Sequence, residues 1–404
     1  MSKSQIKFTV IRLFIAALSA GLYLGAGIIG DTRIVQSVIE IHASAKLIIL
    51  CSLGYQTGFL AARFNPALAK LAPNPSIQFA YYAALCVGLA AYSSTIGNTT
   101  QLIAAIAMLS GTLVLATEPS ARFQNNLYQA FIPDIGLSTA VFIACLPALQ
   151  PASTTIHAFV LTTAIVFIGY AIYSRSYSHL SAIKLVDFRT HFKVIQFGFP
   201  VYIGTTLFGF YLLLDRLVPS ASVNPSDYAT KAFAITIAIG SCLPLSTLNF
   251  FESIQVGKLL STSRTGRPQT LIENLKRKTV TATIVFFACI IFSFIFSALF
   301  SYLKHGSIET QLVQITLIYT VGVGAALTAG SITHLTSYKG KAKPITLSMA
   351  VATTTYGIAL FVSPDTEILT GVMPVIFSTA LVGHGLFCIA FTFSVARNMP
   401  QKPI

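Results

Sequence analysis

The chain has 404 residues, of which 54% are hydrophobic and only 9% charged, with 26 Lys and Arg against 12 Asp and Glu and a net charge of +14. Soluble domains carry roughly a quarter charged residues, so this composition, with a mean hydropathy of +0.75, excludes an ordinary water-soluble core and points to a polytopic membrane protein. Its basicity does not point to nucleic acid. The cations sit in short connectors between apolar runs, where they meet anionic lipid heads and set orientation.

Taken in order, the apolar runs predict twelve helical spans, at 9–29, 34–61, 76–97, 99–117, 127–148, 153–173, 194–215, 228–251, 280–302, 310–336, 345–363 and 369–395. They are continuous rather than alternating, which excludes a strand barrel, and backbone amides without water partners must bond within a helix. The basic start M-S-K-S-Q-I-K-F-T-V-I-R leads into the first span with no clear small-residue cleavage site, so that span is read as retained.

Numbering the connectors alternately sorts the cations. Twenty-one lie on one side, four (Arg33, Arg216, Lys231, Lys304) on the other, and Lys46 lies inside a span. A miscounted helix would scramble that bias, so it supports twelve spans with both termini cytoplasmic. The longest connectors, 174–193 and 252–279, fall on the cation-rich side. The first divides the chain into a six-helix lobe at 1–175, a connector at 176–193 and a second six-helix lobe at 194–404. Two six-helix halves suggest a transporter built from repeats.

Ionisable groups inside apolar spans are costly and mark function. Lys46, in A-S-A-K-L-I-I-L, lies about 12 residues into the second span, near mid-bilayer at ~1.5 Å per residue. His42 is one turn outward on the same face and Glu40 another half-turn out. These predict a cationic cavity lining for an anionic substrate; the alternative is a structural ion pair of Lys46 with Asp134 or Glu40. The fifth span carries Gln124, Asn125, Asn126, Gln129 and, beside Pro133, Asp134, which could line the cavity, titrate with a coupling ion or pair with Lys46. Asp215 and Arg216 close the seventh span and Lys231 opens the eighth, reading either as substrate contacts or as an interfacial rim. His157, His334 and His384 stand alone and read as satisfied buried histidines.

The six cysteines, Cys51, Cys86, Cys145, Cys242, Cys289 and Cys388, all lie in apolar runs, with no C-x-x-C and no Cys/His pairing at ligand spacing. No metal or cofactor site is expected. There is no phosphate loop, acidic metal cluster or nucleophile elbow, and no loop large enough for a soluble catalytic domain, so no enzyme activity is expected.

One stretch carries a resemblance. F-G-F-P-V-Y-I-G-T-T-L-F-G-F-Y-L-L-L-D-R-L-V, with Phe197, Gly198, Pro200, Asp215 and Arg216, followed by Tyr228 and Leu243-Pro244-Leu245, resembles the start of the second half of Wzx-type polysaccharide flippases. These belong to the multidrug/oligosaccharidyl-lipid/polysaccharide exporter superfamily. Leu53-Gly54 and Arg63 resemble the end of that family's second helix; of its first helix-helix turn only Gly30 is present. The resemblance covers the whole chain in helix count and 197–251 residue by residue.

It implies an all-α integral membrane protein of about twelve helices, in two six-helix lobes arranged as a MATE-like V. It further implies alternating access that carries a polyprenyl-diphosphate-linked oligosaccharide from inner to outer leaflet for O-antigen, capsule or exopolysaccharide assembly. The implied setting is the bacterial inner membrane, with polysaccharide polymerase and chain-length proteins as the companions it allows and no nucleic acid. Lys46 would supply a cation to the diphosphate where water is scarce. Two alternatives stand beside this reading: a cation-coupled small-molecule exporter of the same superfamily, and an integral-membrane polymerase or transferase.

Overall fold

The structure, a computed structural model, describes residues 3–55, 74–123, 132–149, 152–217, 225–249, 268–338, 343–362 and 366–398, and no strand occurs among them. The helices start where the sequence supplies caps. Helix α1 spans Lys3–Ile29. Asp31 then caps α2, Thr32–Leu50, its side chain accepting from the Arg33 amide. Asn74 caps α3, Pro75–Thr95, with Pro75 at the first turn where its missing N–H costs nothing. Gly97, at φ 71°, turns the chain so that Asn98 can cap α4, Thr99–Leu109.

The expected span at 99–117 is in fact broken. Helix α5, Thr112–Phe123, begins after Ser110-Gly111. A Cβ on Gly111 would lie 2.7 Å from the Phe167 ring, and the freed carbonyls of Ala107 and Leu109 accept from the hydroxyls of Ser110 and Thr112. Helices α6, Ile132–Ala144, α7, Ala152–Tyr173, and α8, Leu185–Leu217, complete the first compact unit, Met1–Ser220.

The second expected span, 34–61, also breaks, because α2 ends at Leu50. Leu53 and Gly54 both take positive φ, 52° and 84°, a conformation that costs a residue with a Cβ about 1–2 kcal/mol. Three side chains satisfy the carbonyls released: the Tyr202 hydroxyl donates to Leu50 O at 2.9 Å, the Tyr81 hydroxyl to Cys51 O at 2.8 Å and the Gln78 amide to Ser52 O at 3.4 Å. Irregular backbone at membrane depth persists only where protein or a cavity supplies such partners. A Cβ at Gly54 would meet the Phe199 amide nitrogen at 3.2 Å, and one at Gly209 would meet Leu50 at 2.8 Å, so α8 lies almost backbone-to-backbone on the end of α2.

The expected division placed the seventh span in the second lobe, from 194 onward; the compact units run Met1–Ser220 and Ala221–Ile404, with α8 in the first. Helix α8 also starts earlier than the expected span, at Leu185, inside the expected connector.

The second unit holds α9, Pro225–Ser241, bent by 47° into Leu243–Asn249, then α10, Pro268–His305, α11, Thr310–Tyr338, α12, Lys343–Val362, and α13, Thr366–Arg397. The bend falls at Cys242, two residues before Pro244, whose missing N–H cannot donate into a continuous helix. On α10, Val280, Ile284, Phe287, Ile291 and Phe294 repeat every three or four residues and are each more than half exposed. The opposite face, with Ala282, Cys289, Ser293, Ser297 and Ser301, is buried. A bare apolar stripe of that length suits hydrocarbon, not water, and the small-residue face lets α11 approach closely. Among the described residues, five helices are long and apolar enough to cross a membrane, or six if the bent pair is one span.

Helices α11 and α13 touch through glycine. A Cβ on Gly322 would lie 2.8 Å from Ser378 Cα, and one on Gly385 2.9 Å from the Ala325 carbonyl. Backbone atoms cannot rotate away, so Gly322→Ala should destabilise by about 1–3 kcal/mol, read as a lower Tm in detergent. Gly357→Ala, where nothing lies within 4 Å, should not. Equal Tm values for the two variants would show that the α11–α13 contact has slack.

Candidate functional site

The charged residues of the first unit converge. Four residues apart on α2, His42 and Lys46 share a face. Lys46 Nζ ion-pairs with the Asp134 carboxylate on α6. The His42 ring tilts against Tyr23 of α1, centroids 5.2 Å apart, and the Arg216 guanidinium of α8 sits 5.6 Å from the same Tyr23 ring. Both Lys46 and Arg216 lie within electrostatic range of His42, and Arg216 within range of Lys46. Tyr23 therefore joins an imidazole to a guanidinium, with the ammonium one turn along.

Burial differs across the cluster in a useful way. His42 is 4% exposed and Arg216 6%, whereas the side chains of Lys46 and Asp134 are 25% and 48% exposed. Among the described residues, neither ring nitrogen of His42 has a hydrogen-bond partner. An unsatisfied buried polar group costs roughly 1–3 kcal/mol, which a structure keeps only for a reason. The backbone under Asp134 is held: the Ser19 hydroxyl donates to the Asp134 carbonyl at 3.2 Å and shares a 2.6 Å hydrogen bond with Ser138.

Three of the residues singled out from sequence, Lys46, His42 and Asp134, thus come together, joined by Arg216. For Lys46 the expected partner choice was Asp134 or Glu40; it is Asp134, while Glu40 accepts from Gln36 at 3.3 Å. Lys231 is buried within the second unit, on α9. The side chains of Asp215 and His334 lie outside the described residues, as do Gln124, Asn125, Asn126 and Gln129. His157 is exposed, and His384 contacts Ser348 at 3.0 Å. Sequence reasoning missed Tyr23 and Ser19. Their signal was present but slight: two polar tips four residues apart in the otherwise apolar stretch 13–29 of α1. No group of three or more His, Cys, Asp or Glu that could hold a metal occurs among the described residues.

No model of a known family matches the sequence, and no curated protein matches it either. Solved structures do. An outward-facing multidrug resistance MATE family transporter of the MOP superfamily is 14% identical, with a TM-score of 0.53, over 98% of this chain and 94% of that one. An inward-facing transporter of the same family is 12% identical, with a TM-score of 0.52, over 98% and 97%. A MATE in complex with MaD5 is 12% identical, with a TM-score of 0.53, over 98% and 95%. The fold is MATE-like.

A MATE-like fold with apolar helices of this kind is a multi-pass membrane protein. In it the segment entering α8 is tied to the start of α3. Asn74 Nδ2 donates to the Ala182 carbonyl at 3.2 Å and to the Asp187 carboxylate at 3.1 Å, and Ser76 Oγ both donates to Ser181 O and accepts from Ser181 N. The Lys184 amide, then Asn74, hold the Asp187 carboxyl below its ordinary value.

Beside this clasp, His191 is buried and stacks on Tyr55, centroids 4.6 Å apart. Burial pushes its pKa down from 6.5 to about 4. Above 6.5 the ring is neutral folded or unfolded; below 6.5 the unfolded chain takes up a proton that the folded one refuses until about 4. Stability should therefore fall as pH falls across that window, by up to roughly 3 kcal/mol in all. His191→Phe keeps the stack and should flatten that part of the Tm–pH curve; an unchanged slope would remove His191 as its source.

Proposed function

We propose that this protein is a transporter that turns a polyprenyl-diphosphate-linked oligosaccharide from the inner to the outer leaflet, by alternating access, for surface polysaccharide assembly. The observation that carries the reading is the His42–Lys46–Arg216 cluster: three nitrogen groups in an apolar helical unit, with a buried imidazole that has no hydrogen-bond partner among the described residues. Such a group suits an anion with several oxygen acceptors. A diphosphate supplies them, and Coulomb attraction is strong where water is scarce. The MATE-like fold supports transport, and the resemblance around 197–251 supports the lipid-linked sugar. Lys46, His42 and Arg216 bind the head group; Asp134 positions Lys46. Asp215 and Lys231 are proposed as further substrate contacts on the strength of that resemblance and their charge. No covalent step is needed, in keeping with the expectation from sequence of no enzyme activity.

A second reading, a cation-coupled exporter of a small molecule, draws on Asp134, a half-exposed acid inside the unit. Complementation separates the two. The gene should restore surface polysaccharide to a strain lacking its flippase, with the lipid intermediate recovered in the outer leaflet. Retention of the intermediate in the inner leaflet, together with gradient-dependent extrusion of small cationic drugs, would replace the first reading with the second.

A further inference from the structure

The Lys46–Asp134 pair poses a problem for any anion site. The ammonium best placed to meet the anion already holds a carboxylate, and like charges brought to one ammonium in a poorly hydrated site repel. An anion can take Lys46 in two ways. It can bind beside a charged Asp134, against that repulsion, or it can bind as the carboxyl becomes neutral.

We propose that Lys46–Asp134 is a proton-linked latch: a diphosphate diester takes Lys46 from Asp134, and Asp134 accepts a proton from water as it lets go. This rests on the anion-site reading above and adds the coupling to it. One proton enters the carboxyl, the ammonium keeps its charge, and no bond other than the ion pair is exchanged.

Three observations support the latch. Asp134 and Lys46 are the more exposed members of the cluster, so a ligand and a proton can reach them without unpacking the helices. The peptide carbonyl of Asp134 is held by Ser19, so only the side chain has to swing. His42, one turn from Lys46, has both ring nitrogens unpartnered among the described residues and can donate to the anion that Lys46 receives. Among the described residues the groups around Asp134 are few. Among the described residues, α2 presents Lys46, with His42 and Glu40 beyond it, and α8 presents Arg216 within electrostatic range of Lys46. Of the other helices packed on α6, α1 carries Ser19 and Tyr23, α7 carries His157, Tyr170 and Tyr173, and the side chains of Lys3, Lys7 and Arg12 on α1 and of Glu118 and Arg122 on α5 lie outside the described residues. Lys46 is the one described side chain bonded to the Asp134 carboxylate.

The test is calorimetry on the full chain in neutral-lipid nanodiscs. The probe is a short-chain prenyl diphosphate-linked sugar, whose two charges do not titrate across the range used. Wild type should bind more tightly as pH falls from about 8 to about 5, by up to tenfold per pH unit, and take up about one proton per probe when buffers of different ionisation enthalpy are compared. Asp134→Asn should bind at least as tightly as wild type at its acid limit, with no pH slope and no proton uptake. His42→Gln should bind more weakly and keep the slope. Binding by wild type without proton uptake would overturn the latch and leave the anion site standing. Loss of the slope in His42→Gln with its retention in Asp134→Asn would overturn the latch by moving the proton to the imidazole. Wild type that fails to bind at any pH would overturn both.

Discussion

Cells that depend on this protein should lose surface polysaccharide when Lys46 becomes Ala and keep part of it when Lys46 becomes Arg. An ammonium about 4 Å from a phosphate is worth roughly 4 kcal/mol at an effective dielectric constant of ~20. The Lys46 side chain is 25% exposed, and solvent screens part of that. About 2 kcal/mol then remains, a thirty-fold loss of affinity or more. The single variant also leaves Asp134 charged without its partner, which harms folding for reasons unrelated to transport. The double variant Lys46→Ala/Asp134→Ala separates the two effects, because it removes the pair without orphaning either charge. If Lys46 meets the substrate, the double variant should regain wild-type protein level and Tm while transport stays absent. If the pair only neutralises two charges inside the unit, the double variant should regain both. Normal polysaccharide in the double variant would end the substrate role of Lys46.

Gly54→Val should be the most damaging single change in the first unit for stability, by about 3 kcal/mol or more. Two costs add. Gly54 holds φ 84°, which a β-branched residue adopts only under strain. Its Cβ would also enter space already filled by the Phe199 amide nitrogen and the Gly198 carbonyl carbon, both backbone atoms of α8. Relief would mean lifting α8 from the end of α2, and the Tyr202 hydroxyl would then release the Leu50 carbonyl. Gly54→Ala should show the same direction at roughly half the size. The measurement is the Tm of purified protein, with Gly88→Ala on α3, where nothing lies within 4 Å, as the control. A Gly54→Val protein as stable as wild type would mean that the break after Leu50 is not held by close packing.

The helices themselves were legible because each is a local event. An apolar run of the right length, an Asp31, Asn74 or Asn98 to cap it and a Pro75 at its first turn act within a few residues, so composition and spacing suffice. The all-helical class follows from that, and so does the weight given to Lys46 and His42, since a cation in an apolar run is expensive wherever its neighbours lie. Breaks were harder. Nothing local forbids a helix through Cys51-Ser52-Leu53; it ends there because Tyr81, Gln78 and Tyr202, distant in the chain, accept responsibility for the exposed carbonyls and Gly54 admits α8.

By itself the sequence determined the solvent this protein folds in, the runs that become helices and the few ionisable residues that must answer for being there. Only the tertiary structure decided which of them meet. Lys46 chose Asp134, 88 residues away, over Glu40, six residues back on its own helix. Arg216, placed by sequence at a helix end, lies buried over Tyr23, and α8 joins the first unit rather than the second. The reason is common to all three. Hydrophobic periodicity says that a face is buried but not against what, because lipid and protein are equally apolar partners; the choice falls to close packing at Gly54 and Gly209 and to one ion pair, interactions that exist only once the chain is folded.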